Sequence, residues 1–257
     1  MRGFVPAGIA WLKTFAGFLM LLGIVLAGSP RQLRGQWLQA GLCAFFGIFM
    51  LFYYETAAYA RQSAANVVVM LMACAAFSAT ALAWPILGDR PRLRQVLGLL
   101  VAVAGVVLIC GANLRGGMKG WLLAAIAGTG YGIFSVLVKK FGLQGGFALT
   151  TRLLFFGSLY LGIGLRSEHL TQAQWSTTAV LLLVLLAVFP TVLGFVCTTR
   201  AIQHISPGRV QTLELAEPVF AAVFALVVLG EVPSSGALAG GAVVMLGLYV
   251  STLEKQL

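Results

Sequence analysis

The stretch LGDRPRLRQVLGLLVAVAG at 87–105 returns as LGEVPSSGALAGGAVVMLG at 229–247. At a constant offset of 142, Leu87, Gly88, Asp89, Pro91, Gly98 and Gly105 fall on Leu229, Gly230, Glu231, Pro233, Gly240 and Gly247. The acidic position keeps its charge sign but not its identity. Each copy joins the end of one long apolar run to the start of the next. What recurs is therefore a turn together with the span that follows it.

The surrounding composition says what kind of span this is. The 257-residue chain is 60% hydrophobic and only 9% charged, with a mean hydropathy of +0.97. Soluble domains carry about 25% charged residues, so lipid is the expected solvent. Apolar runs cover roughly 4–28, 36–59, 65–87, 95–113, 120–138, 148–165, 175–198, 210–229 and 235–252. Most approach the ~20 residues a helix needs to cross the hydrocarbon core. Only helices or a closed barrel satisfy backbone groups there. The runs are continuous and lack the two-residue alternation of barrel strands. An all-α bundle of about nine membrane helices is predicted. Connections are short, which leaves no room for a soluble domain. The first run is longer than a signal-peptide core, and Lys13 interrupts it.

Charge gives orientation. The net charge of +10 sits at span ends, where cytoplasmic Lys and Arg set topology. With the N-terminus outside, ten basic residues fall inside: Arg31, Arg34, Arg90, Arg92, Arg94, Lys139, Lys140, Arg200, Arg209 and Lys255. Five fall outside: Arg2, Arg61, Arg115, Lys119 and Arg166. The C-terminus is then cytoplasmic. Five crossings separate the duplicated spans, so the repeat is inverted. Arg90, Arg92 and Arg94 follow Asp89 at once, whereas no basic residue follows Glu231 before Lys255. The two copies therefore belong on opposite faces. Inverted duplication of spans marks transporters that alternate between the two faces of a bilayer.

Weaker matches extend the repeat. Lys13, Gly23, Ile24 and Leu26 align with Arg152, Gly162, Ile163 and Leu165 at offset 139. Ala58, Ser63 and Val67 align with Ala201, Ser206 and Val210 at offset 143. The expected units are 1–114, with four spans, and 115–257, with five. The run 120–138 opens the second unit without a partner in the first, so the symmetry calls for a tenth span before Met1.

The chain resembles the drug/metabolite transporter superfamily, of the EamA-like permease type. The resemblance rests on LELAEPVFAAVFALVVLGEVPSSGALAGGAVVMLGLYV at 213–250, LGDRPRLRQVLGLLVAVAGVVLI at 87–109 and WLLAAIAGTGYGIFSVLVKK at 121–140. It implies a ten-helix secondary transporter of amino acids, other metabolites or toxic compounds, often acting outward. The chain departs from the pattern in lacking the first family span. It also has Ala76 where the first-half partner of Pro218 would stand.

Ionisable residues within spans cost roughly 2.5–3.5 kcal/mol each on insertion scales, so the few present are the candidates. Glu217 precedes Pro218, whose missing N–H frees a carbonyl nearby. It is a candidate for binding a proton or cationic group, against a packing role. Glu214, one turn earlier, reads as nearer the surface and structural. Glu55 follows Tyr53 and Tyr54 and suits an ammonium group through charge and cation–π contact; the alternative is an interfacial acid. Lys13 and Arg152 occupy equivalent places. Each suits a substrate carboxylate or a glutamate across the bundle, against snorkelling to the interface. Tyr131, beside Gly128 and Gly130, is a candidate substrate contact, with close helix packing as the alternative. Gly47 and Pro190 correspond at offset 143, and matched interruptions point to a midplane site.

Trp37, Trp121 and Trp175 sit at run ends and read as interfacial anchors. Cys43, Cys74, Cys110 and Cys197 lie in apolar runs and read as packing residues, not a disulfide set. Asp89 and Glu231 read as helix caps. His169 and His204 are expected on opposite sides. No phosphate-binding loop, metal motif or catalytic cluster is legible, so neither cofactor nor metal is expected. The reading is a secondary transporter of small organic metabolites in the inner membrane, exporting by alternating access with protons as the coupling ion. The alternatives are a truncated or non-transporting membrane protein and an intramembrane lipid-modifying enzyme. A small-molecule substrate and membrane lipid are the expected partners, nucleic acid is not, and a homodimer is left open.

Overall fold

The structure, a computed structural model, describes residues 6–28, 30–110, 117–163, 165, 176–224, 226–227, 230, 232 and 234–252. Among these residues every regular element is helical. In chain order they are α1 (Pro6–Gly28), α2 (Trp37–Tyr59), α3 (Ala64–Leu87), α4 (Leu93–Cys110), α5 (Met118–Lys140), α6 (Phe147–Ile163), α7 (Thr177–His204), α8 (Pro207–Glu214), α9 (Glu217–Phe224) and α10 (Ser235–Thr252). By length and composition α1, α2, α3, α5, α7 and α10 suffice to cross a membrane, and α4 and α6 are shorter apolar helices. Glu231, Pro233, Leu229, Trp175, His169, Arg2, Arg115, Arg166 and Lys255 lie outside the described residues.

Local chemistry sets the helix ends. Ser63 caps α3 by accepting from the Asn66 amide at 3.3 Å, and Ser176 caps α7 by accepting from Ala179 at 3.1 Å. Such hydroxyls take up amides that the first turn leaves unpaired. The duplicated LG turn uses its glycine in the same way in both copies. Gly88 (φ 74°) returns its N–H to Trp84, and Gly230 (φ 70°) returns its own to Leu226 at 3.1 Å. The left-handed backbone there is costly for any residue with a Cβ, which accounts for this part of the repeat.

The duplicated spans pack on each other. α4 and α10 make one of the two most extensive helix contacts, the other being α3 with α5. Glycines permit both. A Cβ on Gly98 would lie 2.5 Å from the Gly247 carbonyl, and one on Gly240 would lie 2.8 Å from the Gly105 carbonyl. Gly98 thus meets Gly247, and Gly105 meets Gly240. Because Gly98 corresponds to Gly240 and Gly105 to Gly247, each contact is the other's counterpart. At the second crossing, Gly132 faces Ala75 and Ala79 on α3, and Gly128 faces Leu71 and Cys74. Small residues let membrane helices approach at backbone distance, where dispersion and dipole contacts replace the hydrophobic drive.

Among the described residues, two of the runs differ most from their sequence boundaries. α7 continues past 198 to His204, because Thr198 and Thr199 turn inward and are buried. The run 210–229 begins at Pro207 and is interrupted at 215–216, where Leu215 and Ala216 bond three residues back, to Thr212 and Leu213. Pro218 explains the break. It has no N–H for the Glu214 carbonyl four residues earlier, and its ring crowds that position. Its first-half partner, Ala76, lies inside the unbroken α3.

Candidate functional site

α2 and α7 each contain one wide π-type segment, Phe45–Met50 and Ala187–Leu193. These hold Gly47 and Pro190, the matched interruptions. Neither is a true break, since both helices continue. A π-turn frees backbone groups and rotates the side chains beyond it. In α7 the Thr191 hydroxyl takes up one freed carbonyl, Leu186 O, at 2.9 Å. In α2 a Cβ on Gly47 would collide with the Phe134 ring, so Gly47 makes room for a bulky core residue of α5. Pro190 instead lines a cavity.

That cavity, about 480 Å³, lies among α5, α7, α8 and α9. Its polar wall holds Tyr131, Thr198, Glu214 and Glu217, and its apolar wall includes Phe195, Val210 and Leu213. Glu214 is the centre. Thr198 donates to its Oε1 at 2.7 Å, and the Tyr131 hydroxyl donates to the same atom at 3.3 Å. Tyr131 and Thr198 are themselves 3.4 Å apart. Behind them Gln211 donates to the Ser135 hydroxyl at 3.0 Å, and Ser135 donates to the Tyr131 carbonyl at 3.1 Å. Three helices thus converge on one carboxylate. Oriented donors of this kind replace the water an ionised group loses in a bundle interior.

Glu217 stands one turn on, at the start of α9. It is exposed toward the cavity and within electrostatic range of both Glu214 and Glu55. Glu55 accepts from the Tyr59 hydroxyl at 3.3 Å and feels the charge of Lys13. The Lys13 ammonium sits 3.7 Å above the Phe52 ring. Phe52 meets Phe195 edge-on at 5.9 Å, and Phe195 lies 6.1 Å from Tyr131. An aromatic wall therefore joins Lys13 to the Glu214 cluster. Low-dielectric surroundings strengthen charge coupling along such a wall.

The candidates fall into two groups. Glu217, Tyr131 and Pro190 line the cavity, and Glu55 and Lys13 are coupled to it electrically. Arg152 is not at the cavity. It is buried, and its guanidinium bonds the Gly35 carbonyl and its own helix at Ala148. That arrangement ties α6 to the loop before α2. Tyr54 is half-buried against the main core and meets Tyr53 edge-on. The glycines beside Tyr131 serve packing, with Gly128 against α3 and Gly130 against Phe46 and Met50 of α2.

Glu214 differs most from expectation, being half-buried and hydrogen-bonded instead of superficial. A signal for it existed. Gln211, Glu214 and Glu217 recur every third residue, which puts a polar stripe along one side of an apolar segment. Cys197 also differs from a packing role, since it is exposed and lines the cavity.

Apolar helices long enough to span a bilayer, flanking a cavity with a half-buried polar cluster, define a polytopic membrane protein. The profile of the EamA-like transporter family matches residues 1–111 and 118–253, and the chain belongs to that family. It is a multi-pass membrane transporter. An "Uncharacterized transporter" of Archaeoglobus fulgidus is 23% identical over 259 residues, covering 97% of this chain and 89% of its own. A "Probable amino-acid metabolite efflux pump" of Salmonella typhimurium is 28% identical over 255 residues, covering 92% and 84%. A "Probable terminal-alkyne amino-acid exporter" of Streptantibioticus cattleyicolor is 29% identical over 185 residues, covering 70% and 62%. A solved crystal structure superposes with a TM-score of 0.80 at 19% identity, covering 98% of this chain and 88% of its own. It shares the fold.

Proposed function

We propose that the protein is a secondary transporter that exports small organic solutes through the Glu214 cavity by alternating access, with protons moving inward. The observation that carries this is the Glu214 carboxylate of α8, which accepts from donors on α5 and α7 at the wall of a roughly 480 Å³ space. That volume lies within the usual range for small-molecule sites, about 300–1,000 Å³. Two acids on one wall and phenyl and aliphatic groups on the other suit a solute with an ammonium group and an apolar body. Amino acids and cationic drugs have that form, and two relatives carry amino-acid solutes in their names.

In this reading Glu214 exchanges a proton for the solute's cationic group. Thr198 and Tyr131 hold the carboxylate when it is ionised, so solute and proton compete for one site. Competition of this kind couples an inward proton to an outward solute. The pseudo-twofold relation of the Gly98–Gly247 and Gly105–Gly240 contacts supports two inverted units, 1–114 and 115–257, meeting at the α4–α10 crossing. The excess of basic residues near Asp89 supports a cytoplasmic position for that turn in the inner membrane, with the C-terminus inside.

Growth under toxic amino acids and cationic drugs tests the reading. Cells expressing the protein are expected to tolerate at least one member of such a panel better than empty-vector cells, and Glu214→Gln is expected to abolish the difference. Equal tolerance in wild type and Glu214→Gln, at equal membrane abundance, would remove Glu214 from the mechanism.

A further inference from the structure

A second cavity, about 500 Å³, opens at the end of the bundle that carries the Asp89 turn. Its walls come from three places far apart in sequence. The turn 88–92 between α3 and α4 brings Asp89, Arg90 and Arg92; α5 brings Lys139; the α7–α8 junction brings His204 and Arg209. Four permanently basic side chains thus meet one acid in a single cleft. Topology alone asks only that basic residues lie on this face. It does not ask that they converge.

The cleft's charges have different tasks. Lys139 is committed, donating to the carbonyls of Ile202, Gln203 and Ile205 at 2.7, 3.0 and 3.3 Å, and so closes the end of α7. Arg90 and Arg92 are exposed at the mouth. Arg90 is held over the Trp84 ring, 5.3 Å from its centroid, and Trp84 is itself half exposed. An exposed indole at a span end marks the level of lipid headgroups. Leu87 completes the wall beside it. Two helices, α4 and α8, begin at the rim, so their amide ends add positive potential.

We infer that this cleft binds the phosphate of an anionic phospholipid headgroup, with Arg90 and Arg92 as its principal ligands and the acyl chains running down past Trp84 and Leu87. Guanidinium groups match phosphate oxygens in pairs. Basic pockets between membrane helices are suited to anionic headgroups. The inference is independent of what the Glu214 cavity transports.

Binding to the purified full-length protein in a neutral detergent tests it, with phosphatidylglycerol, phosphatidylcholine and inorganic phosphate as separate probes read by native mass spectrometry and a thermal-shift assay. The expected result is tighter retention of phosphatidylglycerol than phosphatidylcholine, no displacement by inorganic phosphate, and a loss of roughly fivefold for each of Arg90→Gln and Arg92→Gln. Arg94→Gln, which removes an exposed charge outside the cleft, is expected to bind as wild type. Inorganic phosphate binding with the same arginine dependence, and no preference between the lipids, would overturn the lipid source. Equal retention of both lipids without phosphate binding, or an equal loss in Arg94→Gln, would overturn the site.

Discussion

At Glu214, one carboxylate oxygen accepts from both Thr198 and Tyr131. Hydrogen bonds to a charged group are worth roughly 1.5–3 kcal/mol each. Glu214→Gln keeps the shape but removes the charge, and is expected to lower solute flux by roughly tenfold or more. Tyr131→Phe removes only the longer, weaker donor and is expected to cost a few-fold, about 0.5–1.5 kcal/mol. Initial rates of labelled-solute efflux check both. Cys197 offers a native probe of the same wall. It is exposed in the cavity, whereas Cys43 is buried. A water-soluble, membrane-impermeant thiol reagent is expected to modify Cys197 and spare Cys43, with transported solute slowing the reaction. Peptide mapping reads the sites, and failure to modify Cys197 would mean that lipid, not water, fills the space.

At the scale of elements, the α4–α10 crossing rests on glycines whose replacement leaves no room. Gly98→Val places a Cβ 2.5 Å from the Gly247 carbonyl and is expected to destabilise by roughly 1–3 kcal/mol. Gly23→Ala is the control, with nothing within 4 Å of the added methyl. Alanine is the better helix former there by about 1 kcal/mol. Melting curves in detergent are expected to show a lower midpoint for the first variant and an equal or higher one for the second. These elements were largely legible beforehand. Among the described residues each of the nine apolar runs contains helix, and six of these helices are long and apolar enough to cross a bilayer, as bilayer thickness and backbone satisfaction require. The interruption near Pro218 was readable from its missing N–H. The π-turns at Gly47 and Pro190 were readable as matched places but not as wide turns, since their geometry depends on neighbours such as Phe134. Glu214 reads as superficial from its distance to the run's end, and the break at 215–216 changes that depth. Arg152 is a different case. Its symmetry with Lys13 suggested a shared role, but the Gly35 carbonyl, set by tertiary packing, claims it.

For the whole molecule, Lys13 and the Glu214 cluster lie at two ends of one aromatic wall, Phe52 to Phe195 to Tyr131. α5 packs on α2 and α3, and together with α7 and α8 it lines the cavity. In the proposed mechanism solute and proton meet in that cavity, whose lining comes from α5, α7, α8 and α9. The most direct test is flux through the purified protein in liposomes. Vesicles loaded with a labelled amino acid or cationic drug are prepared with and without a pH gradient. The account predicts protein-dependent solute movement down its gradient, accelerated when protons flow the opposite way, and lowered by roughly tenfold or more, with the acceleration lost, in Glu214→Gln. Equal rates in protein-free and protein-containing vesicles across the panel, or acceleration that survives Glu214→Gln, would contradict it.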